Sequence, residues 1–347
     1  MAMDMHDALQ QRTDVVLESA VLRSTWQDIG LNTAKFLTRL LFRLPQLVRQ
    51  HEANVVLFSS MVTALLVIPF ARTLRKKGVR TFAIVHGQDI TIPVAVYQFL
   101  VRMVYRKIDG ILPVSSATGD ACIQRGLSPE KCHVVPNGIR LDRFLQTLSR
   151  AEARSALRNL LGGNVQDDAL LLCSVGRQVE RKGFHWFIEN VMPQLPPQVH
   201  YVLAGDGPMA ERIREAIRTQ NLEPRTHWLG RVSDKTLELV FRGADLFIMP
   251  NVRVKGDMEG FGVVLLEAGI CGQPAIAARI EGIRDVIHEG ENGHFVETED
   301  VDGFIRAILP YLNREQLRMA SERTAAYIPQ VFSWDGAVDR LLDILRR

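Results

Sequence analysis

The chain has 347 residues, of which 47% are hydrophobic and 23% charged, and carries a formal net charge of +3. This is the composition of a soluble globular protein long enough for two domains, each with its own core. Its longest apolar run, residues 62–70, is interrupted by Thr63 and Pro69 and is too short to cross a bilayer, which excludes a transmembrane chain.

In chain order, residues 1–14 are acidic and lack the apolar core of a signal peptide. The four cysteines (Cys122, Cys132, Cys173, Cys271) are scattered and show no C-x-x-C spacing. Together these predict a reduced, cytoplasmic setting. Short apolar runs then alternate with longer amphipathic ones, the pattern of parallel strands joined by crossover helices. Strands are expected at residues 14–17, 54–58, 81–85, 110–114 and 133–135, with helices at 33–50 and 93–107 among them. Residues 145–150 read as a hinge after the turn Pro136-Asn137-Gly138, followed by a polar helix at 151–160. Beyond it, strands are expected at 170–175, 200–204, 227–229, 246–249 and 274–277. The expected architecture is α/β, two facing Rossmann-like doubly wound domains over residues 1–145 and 146–332. In such sheets ligands bind outside the carboxyl ends of the strands.

The two halves differ in charge. Residues 1–145 carry 18 Lys/Arg against 11 Asp/Glu, and the remainder 24 against 28. The basic first half suggests an anionic surface or acceptor, or simply a solvated basic face. In that half, His86 and Gly87 follow the strand at 81–85, so His86 is positioned to line an interdomain cleft. Ser115-Ser116 and Asn137-Gly138 also follow strands, though Asn137-Gly138 serves equally well as a turn.

In the second half, Arg177 and Lys182 stand five apart in the loop between a buried strand and a helix from Phe184. Two fixed cations are what a leaving diphosphate needs as it gains charge. Gly205-Asp206-Gly207-Pro208 reads as a strand-to-helix turn before a helix at 209–219. Gly230 and Val232, at the end of another strand, could meet a nucleotide base, and Ser233 then offers an N-cap. The most informative stretch is residues 251–270. It sets Glu259 at the mouth of a loop and Glu267 eight residues on, with Gly260, Phe261 and Gly262 between. Residues 263–268, from Val263, read as the buried first turns of a helix. Its first N–H groups lack intrahelical partners and its dipole favours an anion. One carboxylate on each side of a bound phosphate suits a sugar nucleotide. Asp300 and Asp302 have metal-pair spacing, but Asp300 is better read as the cap of a helix from Val301. No convincing metal cluster, G-x-S-x-G elbow or G-x-x-x-x-G-K-[ST] loop occurs.

The segments GRQVERKGF, LAGDGPM, LGRVSD, EGFGVVLLEA, GIRDVIHEGENGHFV and FSWDGAVDRLL occur in this order and cover the chain from about residue 130 onward. They resemble the retaining family 4 glycosyltransferases of the GT-B fold; the first half resembles the family more loosely. The resemblance implies a nucleotide-diphosphate sugar bound mainly by the second domain and an acceptor held mainly by the first. Arg177 and Lys182 would bind the diphosphate, Glu259 the donor-sugar hydroxyls, and Glu267 the ribose. Amides of Gly260 to Val263 would lie near sugar and phosphate, and His86 would approach the reacting centre. The helix at 333–347 would pack back on the first domain. No cofactor, metal or nucleic acid is implied.

At its front the sequence departs from the family, which opens with a strand and a glycine-rich loop. Here residues 5–11 read as the end of the helix after that loop, and the first glycine is Gly30. The first domain is therefore expected to lack its first strand, through shortening or rebuilding. Basic amphipathic stretches at 35–44, 72–80 and 97–107 suit anionic lipid, hence a glycan or lipid-linked acceptor at the inner face of the membrane; they suit solvated helix faces as well. A non-catalytic GT-B nucleotide-binding partner and a GT-B epimerase or phosphorylase are the competing readings.

Overall fold

The computed structural model describes residues 2–22, 29–144, 148–162 and 165–347. The chain divides into two compact units, Met1–Gly138 with Trp334–Arg347, and Ile139–Ser333.

The first unit is built on three parallel strands, β1 (Val55–Phe58), β2 (Arg80–Val85) and β3 (Gly110–Pro113), in the order β1-β2-β3. Phe82 lies opposite both Leu57 and Gly110, so β2 is central, and it is buried from Thr81 to Val85. The β-branched and aromatic run TFAIV is what a strand covered on both faces requires. Helices Val67–Lys76 and Ala95–Lys107 carry the chain back between strands. In the second of these, Val101, Val104 and Tyr105 recur at helical spacing and turn into the core. The last helix, Trp334–Arg346, belongs to this unit and packs on Ala2–Gln10.

Two expected strands are not formed. Residues 14–17 are irregular: Val16 is 94% exposed, and Asp14 is held by Arg12 and Arg346. With no neighbouring strand among the described residues to pair with, an apolar run gains nothing from being extended. Residues 133–135 run beside β3, where His133 N–H donates to Ile111 O (3.0 Å) and Val135 N–H to Pro113 O (2.9 Å). The pairing stops after those two bonds, where the chain turns at Pro136.

The second unit holds six parallel strands: β4 (Leu170–Val175), β5 (Val199–Ala204), β6 (Thr226–Gly230), β7 (Leu246–Met249), β8 (Ala275–Ala278) and β9 (Gly293–Val296). Their order is β6-β5-β4-β7-β8-β9. The chain winds outward from β4 to β6, then returns to lay β7 on the other side of β4. β4, β5 and β7 are almost wholly buried, and a hydroxyl chain ties them: Tyr201 donates to Ser174 (2.7 Å), which donates to Ile248 O (2.5 Å). β9 was not expected; with Gly293 and His294 and two half-buried positions it has no continuous apolar run. Of the expected hinge, residues 145–147 lie outside the described residues. Ser149 caps helix Arg150–Leu160 in a capping box with Glu152. Asp300 caps Val301–Ile308 by accepting the Gly303 N–H at 2.9 Å.

Candidate functional site

Because the winding reverses between β4 and β7, the loops leaving their carboxyl ends diverge and leave a crevice between them. The loop after β4 carries Arg177, Arg181 and Lys182, and the loop after β7 carries Asn251, Asp257 and Glu259. Gly183 locks the first loop against the second. It adopts φ 65°, and a Cβ there would lie 2.0 Å from Pro250 O. Val252 N–H also donates to Arg181 O at 3.0 Å.

Glu259 is the hub of this crevice. Its Oε2 accepts from Lys182 Nζ (2.5 Å), Arg181 Nη1 (2.6 Å) and Asn251 Nδ2 (3.1 Å). Arg181 also reaches Asp257 at 2.9 Å. Burial opposes the charge on Glu259, but Lys182 and Arg181 outweigh it and hold the carboxyl below the usual glutamate range. Glu259 N–H donates to Glu281 Oε2 at 2.5 Å, and its carbonyl accepts from Gly282 N–H at 3.1 Å. Glu281 makes that contact from φ 44°, a region that residues with side chains rarely enter. Burial raises its pKa. The loop after β8 thus clamps the backbone on which Glu259 sits.

Three residues further on, Gly262 starts helix Val263–Ile270 from φ 80°, in the left-handed region that favours glycine, and supplies no side-chain cap. The helix start is therefore bare of a competing side-chain acceptor. Gly260 and Val263 are half-buried, and Phe261 and Gly262 are buried. Glu267, one turn inside the helix, is buried and ion-paired with Arg143. Gly230 ends β6, and its carbonyl accepts the N–H of Gly205, just past β5, at 2.7 Å; Val232 is half-buried in the following loop.

The expected site residues of this unit thus fall on the carboxyl edge of one sheet, with two changes of detail. Arg177 and Lys182 do not act as an equivalent pair: Lys182 is buried against Glu259, whereas Arg177 is exposed and makes no ion pair or side-chain hydrogen bond among the described residues. Nor is Glu259 a free carboxylate, since it already binds two cations. Arg181, Asn251, Asp257, Glu281 and Arg143 were missed. The one signal for Arg181 was its place beside Lys182. Nothing local marks the others. Among the described residues no group of three or more His, Cys, Asp or Glu could hold a metal ion.

His86 belongs to the other unit, at the carboxyl end of β2. Its backbone N–H donates to Asp89 Oδ1 at 2.8 Å, and its Nε2 lies 3.0 Å from Ser59 O. A carbonyl can only accept, so that contact requires a proton on Nε2.

The chain is similar to known proteins. Residues 14–143 match the family described as Glycosyltransferase Family 4, and residues 162–326 that described as Glycosyl transferases group 1. A D-inositol 3-phosphate glycosyltransferase from Geodermatophilus obscurus is 32% identical over 228 residues, 62% of this chain and 47% of that protein. The match therefore spans about half the length of that relative. A GDP-mannose-dependent alpha-(1-6)-phosphatidylinositol monomannoside mannosyltransferase from Mycobacterium tuberculosis is 27% identical over 319 residues, 88% of this chain and 78% of that one. Among solved structures, Anabaena HepE in complex with UDP aligns with a TM-score of 0.73 at 20% identity, covering 91% of this chain and 84% of that one.

Proposed function

The chain belongs to the family 4, group 1 glycosyltransferases of the GT-B fold, and from that premise we propose that it moves a sugar from a nucleotide-diphosphate sugar to a glycan or lipid-linked acceptor with retention of configuration. The observation that carries this reading is the Arg181–Lys182–Glu259 cluster at the point where the larger sheet reverses. Arg177 and the paired cations would meet the diphosphate, which gains charge as the glycosidic bond breaks. A diphosphate can compete with Glu259 for Lys182 and Arg181, so the resting ion pairs keep the cations oriented until donor arrives. Glu267 would take the ribose hydroxyls, and Gly230 and Val232 the base. Peptide groups of Gly260, Phe261, Gly262 and Val263 would lie against sugar and phosphate. The Mycobacterium tuberculosis relative is named for a phosphatidylinositol monomannoside, a lipid-linked sugar, which supports an acceptor of this kind.

Retention through a covalent intermediate needs a nucleophilic carboxylate beside the anomeric carbon. Glu259 is a poor nucleophile, because three donors, two of them cations, already hold its charge. That favours front-face transfer: the acceptor hydroxyl attacks on the side the diphosphate leaves, and the departing phosphate oxygen takes its proton. Glu259 then positions and His86 serves as a polar contact of the acceptor-side unit.

The test is a calorimetric panel of uridine, guanosine and adenosine diphosphates, followed by transfer from the matching sugar nucleotide to a lipid-linked acceptor. One diphosphate should bind, and the product's anomeric coupling by NMR should match the donor's. Failure of every diphosphate to bind would remove the donor-site assignment. Binding with no transfer to any acceptor would leave a nucleotide-binding partner protein instead.

A further inference from the structure

The amino edge of the larger sheet, opposite the donor crevice, gathers three arginines round one carboxylate. Asp245 is buried just before β7, and Ala169 is buried just before β4. Asp245 Oδ2 accepts from Leu171 N–H at 2.8 Å, and Asp245 N–H donates to Leu171 O at 2.7 Å. The residue thus marks the point where the two strands first meet. Arg154 is the partner fitted to it. Its Nη1 donates to Asp245 Oδ2 at 2.8 Å and its Nη2 to Ala169 O at 2.5 Å, and its side chain is only 18% exposed. That pair is balanced in charge.

Arg150 and Arg314 are surplus to it. Arg150 Nη2 lies 3.5 Å from Asp245 Oδ1 and Arg314 Nη1 3.6 Å from Oδ2, too long for close pairs. Their firmer bonds go to neutral oxygens: Arg150 donates to Ser321 Oγ, and Arg314 Nη2 to Ala169 O at 2.9 Å. Their side chains are 39% and 44% exposed. Guanidinium stays charged in proteins, so one carboxylate serves three cations and leaves two uncompensated. Burial opposes the charge on Arg150, and so do Arg154 and Arg314; Asp245 offsets them only in part. The nearest acids in sequence are engaged elsewhere, Glu152 in the capping box with Ser149 and Glu315 with Arg318 at 2.7 Å. Arg150 and Arg314 also open helices Arg150–Leu160 and Arg314–Val331, whose first turns favour negative charge. Arg158, the next cation along that face of the first helix, is taken by Asp167 and by Val165 O. The excess charge is therefore one spot, not the track of cations that a nucleic acid needs.

We propose that Arg150 and Arg314 bind a phosphate, free or as a monoester, at the amino edge of the larger sheet. A dianionic phosphate neutralises the surplus charge and offers the acceptors that a planar guanidinium fork matches. Arg154 stays with Asp245, because it is the most enclosed of the three and holds the shortest bond to that carboxylate. The site lies a strand length from the donor crevice, since Ala169 and Arg177 stand beyond opposite ends of β4. At about 3.3 Å per residue that is roughly 20 Å. It uses none of the donor residues and stands independently of the proposed activity.

The experiment is thermal unfolding of the full-length protein in inorganic phosphate or glycerol phosphate, against chloride at equal ionic strength, with calorimetry for affinity. Wild type should melt higher in either phosphate, and the rise should grow with concentration, as binding to the native state requires. R150Q/R314Q should bind about tenfold or more weakly and lose the rise. In chloride it should melt no lower than wild type, because two surplus charges no longer repel; a purely structural cluster would be destabilised. R314Q alone leaves Arg150 on Ser321 and Arg154 on Ala169 O, and gives the same reading if the double variant does not fold. R154Q should melt lower in every buffer, since it removes the close partner of a buried carboxylate. R177A, altered in the donor crevice, should keep the rise, and R314Q should bind nucleoside diphosphate as wild type does. Failure here and failure of the donor site are thereby distinguished. Wild type with no rise specific to phosphate, or a rise that survives in R150Q/R314Q or vanishes in R177A, would overturn the proposal.

Discussion

Replacing Glu259 by glutamine removes one negative charge while preserving the length and branching of the side chain. In the wild type that charge offsets two cations, Lys182 at 2.5 Å and Arg181 at 2.6 Å. Arg181 keeps Asp257 at 2.9 Å, but Lys182 is buried and has no other ion-pair partner among the described residues. Leaving one member of a buried pair uncompensated costs about 3–5 kcal/mol. Glutamine can still accept a hydrogen bond there, so the expected loss is nearer 2 kcal/mol, or about 4–8 °C in melting temperature for a unit of this size. The same change releases Lys182 and Arg181 for an anionic ligand. The variant should therefore be less stable alone yet bind free nucleoside diphosphate more tightly, while turnover falls because the group that positions the sugar is altered. Thermal unfolding with and without diphosphate reads both effects, since stabilisation by a ligand follows its affinity for the native state.

The pH dependence carries a definite sign. Glu259 has a lowered pKa in the folded protein, so its contribution is complete above the ordinary glutamate value of about 4.3 and is lost as pH falls through the folded value. The stability gap between wild type and E259Q should close on acidification. A variant as stable as wild type at neutral pH, or one that binds diphosphate more weakly, would refute the reasoning.

Other substitutions probe separate parts of the molecule. R177A should weaken diphosphate binding about tenfold with no change in melting temperature, because exposed Arg177 makes no ion pair or side-chain hydrogen bond among the described residues; K182A should lower both affinity and stability, and calorimetry with thermal unfolding separates the two. G183A should cost at least about 2 kcal/mol in urea denaturation, since Gly183 adopts φ 65° and a Cβ would lie 2.0 Å from Pro250 O. His227, pushed down to about 4 by burial and by His200 beside it, resists protonation in the folded state. Its contribution is full above an ordinary histidine value of about 6.5 and lost towards pH 4, so H227Q should flatten that part of a melting-temperature profile.

Much of this protein was legible in local chemistry. The buried strands announced themselves as short, mainly apolar runs, as in Thr81 to Val85 and Leu170 to Val175, because a strand covered on both faces must be largely apolar. Gly262 before an apolar helix signalled a helix start without a side-chain cap, and Asp300 before Val301 signalled a cap, because helix ends are set by a few neighbouring residues. The candidate residues of the larger unit all proved to lie along one carboxyl edge, since in a parallel sheet every strand ends on the same side.

Pairing was what local sequence could not supply. Residues 14–17 and 133–135 have apolar runs like those of the true strands, yet a strand exists only beside a partner, and among the described residues the partners are absent or end after two bonds. β9 became a strand through its neighbour β8, despite Gly293 and His294. The same holds for charge. Glu259 was visible as a carboxylate at a loop mouth, but the choice of Arg181 and Lys182 as its partners, 78 and 77 positions away, followed from strand order. The sequence alone determined the family, the strand-helix alternation and the residue types at the sheet edge. Tertiary structure decided which of those residues meet, because laying β7 beside β4 brings two distant loops within hydrogen-bonding reach.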